Sequence, residues 1–234
     1  SIRVIYSGNK EEVDTAGKET VLANGYNDGS TDYTQIQTST FNSSHNASEY
    51  VGYRYTSGSQ RPSSTSEGTN STIKGVLETW YSNNLSRVDS KISSSPGFCN
   101  DRELQSGSGS WVSTGSTQYY AAYERRRNEI PTYECSNSND LYQTKIGLIT
   151  VDEVMYAGGW NAINYGYYLY TGNDYWTMSP SFFNGSSAGE FIVHSHGYLN
   201  NYGVFNSWSG VRPVINISPN VTITGSGTIQ DPYV

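Results

Sequence analysis

The chain opens on alternation. Ser1-Ile2-Arg3-Val4-Ile5-Tyr6-Ser7-Gly8 puts Ile2, Val4 and Tyr6 on one face of an extended segment, and its β-branched content predicts a strand ended by a turn. Residues 9 to 50 are polar and punctuated by Gly and Asn, which predicts irregular loops with a short strand around Val21-Leu22; a second short strand is expected over Tyr50 to Tyr55. Residues 57 to 70 offer no apolar side chain to bury and read as a solvated excursion. Residues 105 to 118, rich in Ser, Gly and Thr around Trp111, read as a second surface insertion.

Two segments change period. Ile73, Val76, Leu77, Trp80 and Tyr81 fall at i, i+3, i+4, i+7 and i+8, so a helix capped by Ser71 or Thr72 should turn that stripe to the core. Thr150-Val151-Asp152-Glu153 has the T-x-x-E spacing of a capping box, with Val151, Val154 and Met155 as the apolar side and Gly158-Gly159 as the stop. From Tyr165 onward the pattern is that of short strands: Tyr168-Leu169-Tyr170, Tyr175 to Met178, Glu190 to His194, Tyr198 to Phe205, Val211 to Ile217 and Val221 to Thr224. Turns are expected at Gly172-Asn173-Asp174, Ser195-His196-Gly197 and Ser209-Gly210, and such close spacing favours antiparallel pairing. The prediction is an α+β fold, two helices packed on a small twisted antiparallel sheet that lies mostly in the C-terminal half.

Composition explains how 234 residues with few aliphatics can still bury a core. Tyr numbers 21 and Trp 5, and each ring hides roughly 150–250 Å², so the core can be built from rings. Charged residues make up only 15 %, against about 25 % in an average domain, which leaves the surface to hydroxyls and amides, as in extracellular β-rich proteins. A net charge of −7 with 14 Lys plus Arg, most of them scattered, makes nucleic acid and anionic membranes poor partners. The one basic cluster, Arg125 to Arg127, is flanked by Glu124 and Glu129 and reads as a salt-bridged loop, with an anion site as the lesser alternative. No run of apolar residues is long enough to span a bilayer, and the first residues lack a secretory signal pattern.

Cys99 and Cys135 lie in loop-like surroundings, and in a chain of this composition a disulfide is favoured over two free thiols or a metal pair. N-x-S/T triplets begin at Asn42, Asn46, Asn70, Asn84, Asn184, Asn216 and Asn220. In a chain this rich in Asn, Ser and Thr they arise by chance, and they would matter only for a eukaryotic source.

Chemistry is sparse. On a strand, His194 and His196 would share a face with Glu190, as at the start of a zinc site, but further ligands are not evident and an exposed turn is the favoured reading. Ser195 lies outside any G-x-S-x-G elbow, and neither H-E-x-x-H nor a phosphate-cradling loop occurs, so no enzymatic activity, metal or cofactor is expected. Asp152 and Glu153 fit a helix first turn better than a general acid. What remains is a surface rich in aromatics and amides: Tyr175, Phe183, Asn184, His194, His196, Tyr198, Asn200, Tyr202, Phe205 and Trp208 are the candidate ligand-binding residues, in the chemistry of antibody paratopes. Some alternate aromatics must instead form the core of the sheet, and which ones depends on the register.

Trp176-Thr177-Met178-Ser179-Pro180, Gly197-Tyr198-Leu199 and Gly210-Val211-Arg212-Pro213-Val214-Ile215-Asn216 resemble W-x-x-S-P, D-G-x-L and G-V-R-P-V-I-N-L in a family of modules from secreted and surface proteins of gut Firmicutes. Ile2 to Gly8, Gly97-Phe98-Cys99, Ile146 to Thr150 and Gly225 to Val234 fit as well, so the resemblance covers nearly the whole chain. Relatives carry another strand upstream, which implies that residue 1 lies inside the domain. More distantly, the S-P and G-V-R-P signatures are similar to the formylglycine-generating-enzyme branch of the C-type lectin fold and to retroelement-diversified variable proteins. That resemblance implies one C-type-lectin-like domain over 1–234, with Phe182 to Trp208 in the region that variable proteins diversify. The enzyme's late cysteine pair has no counterpart, and the calcium-binding tripeptides E-P-N, Q-P-D and W-N-D are absent. The function expected is a non-enzymatic adhesion or display module, extracellular or at the cell surface, presenting its C-terminal surface to a protein or glycan ligand. A structural subunit of a filament or phage-like appendage, with self-association, is the alternative, and a metal-dependent enzyme a distant third.

Overall fold

The computed structural model describes residues 2–8, 34–112 and 116–226. The strand expected at Val21-Leu22 and the tail beyond 226 lie outside these. In chain order the strands are β1 (Ile2–Ile5), β2 (Gln37–Thr38), β3 (Arg54–Tyr55), β4 (Thr69–Asn70), β5 (Ile92–Ser93), β6 (Phe98–Cys99) and β7 (Gln118–Tyr119). They continue with β8 (Leu141–Tyr142), β9 (Ile146–Gly147), β10 (Tyr175–Phe183), β11 (Ala188–Val193), β12 (Leu199–Gly203), β13 (Gly210–Val211) and β14 (Val214–Ile217). Among the described residues the α-helices are α1 (Thr72–Asn84), α2 (Ala121–Asn128) and α3 (Val151–Tyr156).

The larger sheet runs β12-β11-β10-β13-β2, with β7 also paired to β10; only the β10–β13 pairing is parallel. The smaller sheet runs β1-β14-β5, with β9 also on β14. Both sheets therefore meet through β13 and β14, which Arg212-Pro213 separates. This break, absent from the expected single strand over Val211 to Ile217, lets Arg212 turn into the core. Its Nε donates to the Tyr6 carbonyl (3.1 Å), its Nη1 to the Leu169 carbonyl (3.1 Å), and its guanidinium lies over the Tyr175 ring. Trp176, near the start of β10, is wholly buried, edge-on to Phe41, with its indole N–H donated to the Ser39 carbonyl. Ser179 accepts the Val151 backbone N–H, tying α3 to β10, and Pro180 sits at irregularities in the β10–β11 register.

Both expected helices form. Ile73, Leu77 and Trp80 are buried on α1, while the Ser71 hydroxyl donates to the Tyr53 carbonyl instead of capping. The Thr150–Glu153 capping box is present, and Gly158 ends the α3 region at φ +106°. The third helix, α2, occupies the stretch read as a salt-bridged loop. It carries no apolar period because it packs through Ala122 and its arginines, Arg126 lying over the Tyr123 and Phe191 rings.

Other expectations shift. Tyr168-Leu169-Tyr170 and Val221 to Thr224 are not strands, and only Arg54–Tyr55 of the Tyr50 to Tyr55 run pairs. On β1 the exposed face is Ile2 and Val4, while Ile5 packs on the core. The 57–70 segment is tied down ionically: Arg61 bridges Asp140 and Glu103, and β4 folds back on β3. The Cys99–Cys135 disulfide forms.

Glu190 is a buried carboxyl that links the fold to pH. Its Oε1 accepts the Gly52 N–H and its Oε2 has no partner. Burial, only partly offset by that bond and by Arg102, holds the carboxyl well above the usual range. The unfolded chain gives up this proton near its ordinary value of 4.5 while the folded chain keeps it. Stability therefore falls as pH rises through the interval above that value. Glu190→Gln, of similar shape and never ionised, should melt higher than wild type near about pH 7–8, with the gap closing towards about pH 5. A gap that ignores pH, or that widens in acid, counts against this assignment.

Candidate functional site: the aromatic edge of the large sheet

β12 ends the large sheet on one side. The two-residue period of an extended chain places Tyr198, Asn200 and Tyr202 on one face, and the pairing of β11 with β12 adds His194 beside Tyr198. The His194 ring stacks on Tyr198 at 4.5 Å and on His196 at 5.0 Å between centroids. The imidazoles belong to a hairpin turn, and their Nδ1 atoms lie 3.1 Å apart. Gly197 makes the turn possible: its φ is +79°, and a Cβ there would sit 1.8 Å from the Asn164 carbonyl oxygen.

Asp174 organises this end. Its Oδ1 accepts the Ser195 N–H (2.6 Å) and lies 4.0 Å from His194 Nε2, while its Oδ2 accepts the Tyr202 hydroxyl (3.0 Å). Burial, helped by the Asp174 charge, pushes the Tyr202 phenol up to about 12, so it stays a donor. Tyr202 in turn meets Trp208 edge-on at 6.4 Å, and Trp208 is 65 % exposed. Tyr165, half exposed, closes on His196 from the loop before β10. The result is a strip of rings fixed by one carboxylate.

The structure thus gathers His194, His196, Tyr198, Tyr202 and Trp208, with Asn200 between them on the strand. Phe205 lies at the other end of β12, exposed and packed against His45 at 4.8 Å. Asn184 is exposed in the turn between β10 and β11, where its Oδ1 accepts the Ser186 and Ser187 N–H groups and shapes that turn. Two candidates are corrected: Tyr175 and Phe183 point into the core, because β10 is the central strand and is covered on both faces. Sequence reasoning missed Asp174 and Tyr165. The Asp in the Gly172-Asn173-Asp174 turn read only as a turn former, and Tyr165 lay in a run of tyrosines with no period.

Glu190 does not join the histidines; it is buried against Gly52. Among the described residues no three His, Cys, Asp or Glu side chains gather as metal ligands, and no helix is long and apolar enough to cross a membrane. Compared with protein-family models, curated proteins and solved structures, the chain matches none.

Proposed function

We propose that this chain is a non-enzymatic binding or adhesion module that works outside the cell or at its surface, and that the β12 strip receives a protein or glycan ligand. The observation that carries the reading is the strip itself: His196, His194 and Tyr198 form one run of ring contacts at a sheet edge, Tyr202 and Trp208 form a second, and Asp174 joins the two. Rings held in place before binding lose little freedom on contact, and Tyr and Trp are the residues that most often dominate binding surfaces. We place the fold with the C-type-lectin-like domains of secreted bacterial proteins. In support, the W-x-x-S-P and G-V-R-P residues serve the core here, which leaves the segment between them free to vary at its surface.

A glycan and host-protein array tests this, run with and without EDTA on wild type and on a Tyr198→Ala, Tyr202→Ala, Trp208→Ala variant checked by circular dichroism. The expected result is EDTA-insensitive binding that the variant loses by about 100-fold or more, since hot-spot rings are worth about 2 kcal/mol or more each. Equal binding by both proteins moves the ligand elsewhere.

A second reading follows from the position of β12 at the edge of the sheet. The Leu199 N–H is covered by the Trp160 carbonyl and its carbonyl by Arg126, but β12 has no further strand beyond it among the described residues. A filament subunit would add a strand there from its neighbour. Sedimentation that shows an oligomer at micromolar concentration, lost in the same variant, would favour that role.

A further inference from the structure

A cleft beside the disulfide lies apart from the β12 strip. Its volume of about 420 Å³ falls in the range of small-ligand sites, and it is lined by Arg3, Asp101, Arg125, Tyr133, Asp152 and Asn216, among others. Asn216 is fully buried; its Oδ1 accepts from Arg3 Nε (3.0 Å) and its Nδ2 has no hydrogen-bond partner. Asp101, 3 % exposed, occupies the left-handed region at φ +39°. Its Oδ2 accepts from Arg125 and its Oδ1 has no partner. A buried donor or acceptor left without a partner is costly, and a ligand that supplies one recovers that cost. One orphan donor and one orphan acceptor on the same cleft suit a hydroxyl-rich ligand, because each hydroxyl both gives and accepts.

Charge narrows the class. Arg3 is paired with Glu153, and Arg125 with Asp101 (2.6 Å) and Asp152 (2.7 Å), so both guanidiniums are already neutralised. Glu134 adds another carboxylate to the lining. An anion would meet excess carboxylates, since Asp101, Glu134, Asp152 and Glu153 face two arginines that are already paired. The rim supplies an apolar face: Tyr133 is 74 % exposed and stacks on Tyr156 at 4.3 Å with 15° between planes. Tyr156 is fixed by donating its hydroxyl to the Pro131 carbonyl (2.8 Å). Tyr133 also lines the adjoining recess of about 330 Å³, which the exposed Tyr168 shares.

We propose that this cleft binds a neutral pyranose unit of an oligosaccharide, with Tyr133 stacked on the sugar face and Asn216 and Asp101 hydrogen-bonded to its hydroxyls. The proposal does not rest on the β12 reading. Saturation-transfer NMR and calorimetry with maltotriose, cellotriose, xylotriose, mannotriose and chitotriose, and with a sulfated heparin oligosaccharide as the anionic arm, test it. At least one neutral sugar should saturate, Tyr133→Ala should weaken it about tenfold, and Tyr133→Phe should restore it to within about twofold. The Tyr198, Tyr202, Trp208 variant should bind that sugar as wild type does. The proposal is overturned if no neutral sugar saturates by about 10 mM, if Tyr133→Ala binds normally, if the heparin oligosaccharide binds more tightly, or if the β12 variant is the one that loses the sugar.

Discussion

Arg125→Ala should destabilise the protein by about 3–5 kcal/mol, because it strips the cation from two buried carboxylates. Arg125 grips Asp152 with Nε and Nη2 (2.7 and 2.8 Å) and reaches Asp101 with Nη2 (2.6 Å), joining α2, α3 and the loop after β6. The side chains of Asp101 and Asp152 are 4 % and 6 % exposed, so each carboxylate depends on the guanidinium to offset its charge. Burial works against the charge on Arg125, but the bonds to Asp152 and the nearness of Asp101 outweigh it and raise its pKa. At about 2–4 °C per kcal/mol for a domain of this size, the melting temperature should fall by roughly 6–20 °C. Adding Asp101→Asn and Asp152→Asn to Arg125→Ala should recover a good part of the loss, since the isolated charges are then gone. A loss below about 1 kcal/mol for Arg125→Ala, typical of surface pairs, would show that the cluster is not a buried network.

Replacing both cysteines by serine should cost about 3–4 kcal/mol in the chain-entropy treatment of a 36-residue separation. Little else holds the segment around Cys135. From 129 to 137 the chain has no strand or helix, and beyond the helix-end bonds of Glu129 and Ile130 its ties include the Thr132 N–H to Asp152 (3.1 Å), the Tyr156 hydroxyl to the Pro131 carbonyl and the Tyr133–Tyr156 stack. Local opening therefore starts there once the bond is gone. Denaturant unfolding of the double Cys→Ser variant reads the global loss, and hydrogen exchange at Ile130 and Thr132, whose N–H groups bond Arg125 and Asp152, reads the local one. A variant within about 1 kcal/mol of wild type, with unchanged exchange at these amides, would place the constraint elsewhere.

What the sequence made legible was what depends on local periods. The stripe Ile73, Leu77, Trp80 and the Thr150–Glu153 box need no tertiary knowledge, and both helices stand where their patterns put them. Helix α2 was hidden because it packs through Ala122 and through partly buried guanidiniums, which binary patterning counts as polar. The 57–70 segment is mostly exposed, as its composition suggests, but its anchor was hidden for the same reason: Arg61 ties it to partners at 103 and 140, far off in sequence. Among the candidate ligand residues the aromatics divide by register. Tyr175 and Phe183 share a strand whose neighbours cover both faces, and nothing in their own spacing distinguishes them from Tyr198 and Tyr202 on the edge. Asp174 and the Tyr133–Tyr156 stack depend on contacts between a loop and an element distant in sequence, β12 and α3 respectively, for which the chain carries no local signal.

The most direct test of the β12 surface is a titration of the ¹⁵N-labelled protein with the strongest ligand from the array, following amide shifts. The account predicts perturbations concentrated at Tyr165, Asp174, His194 to Tyr202 and Trp208. An array on which nothing binds, or shifts that leave these amides unmoved, would contradict it.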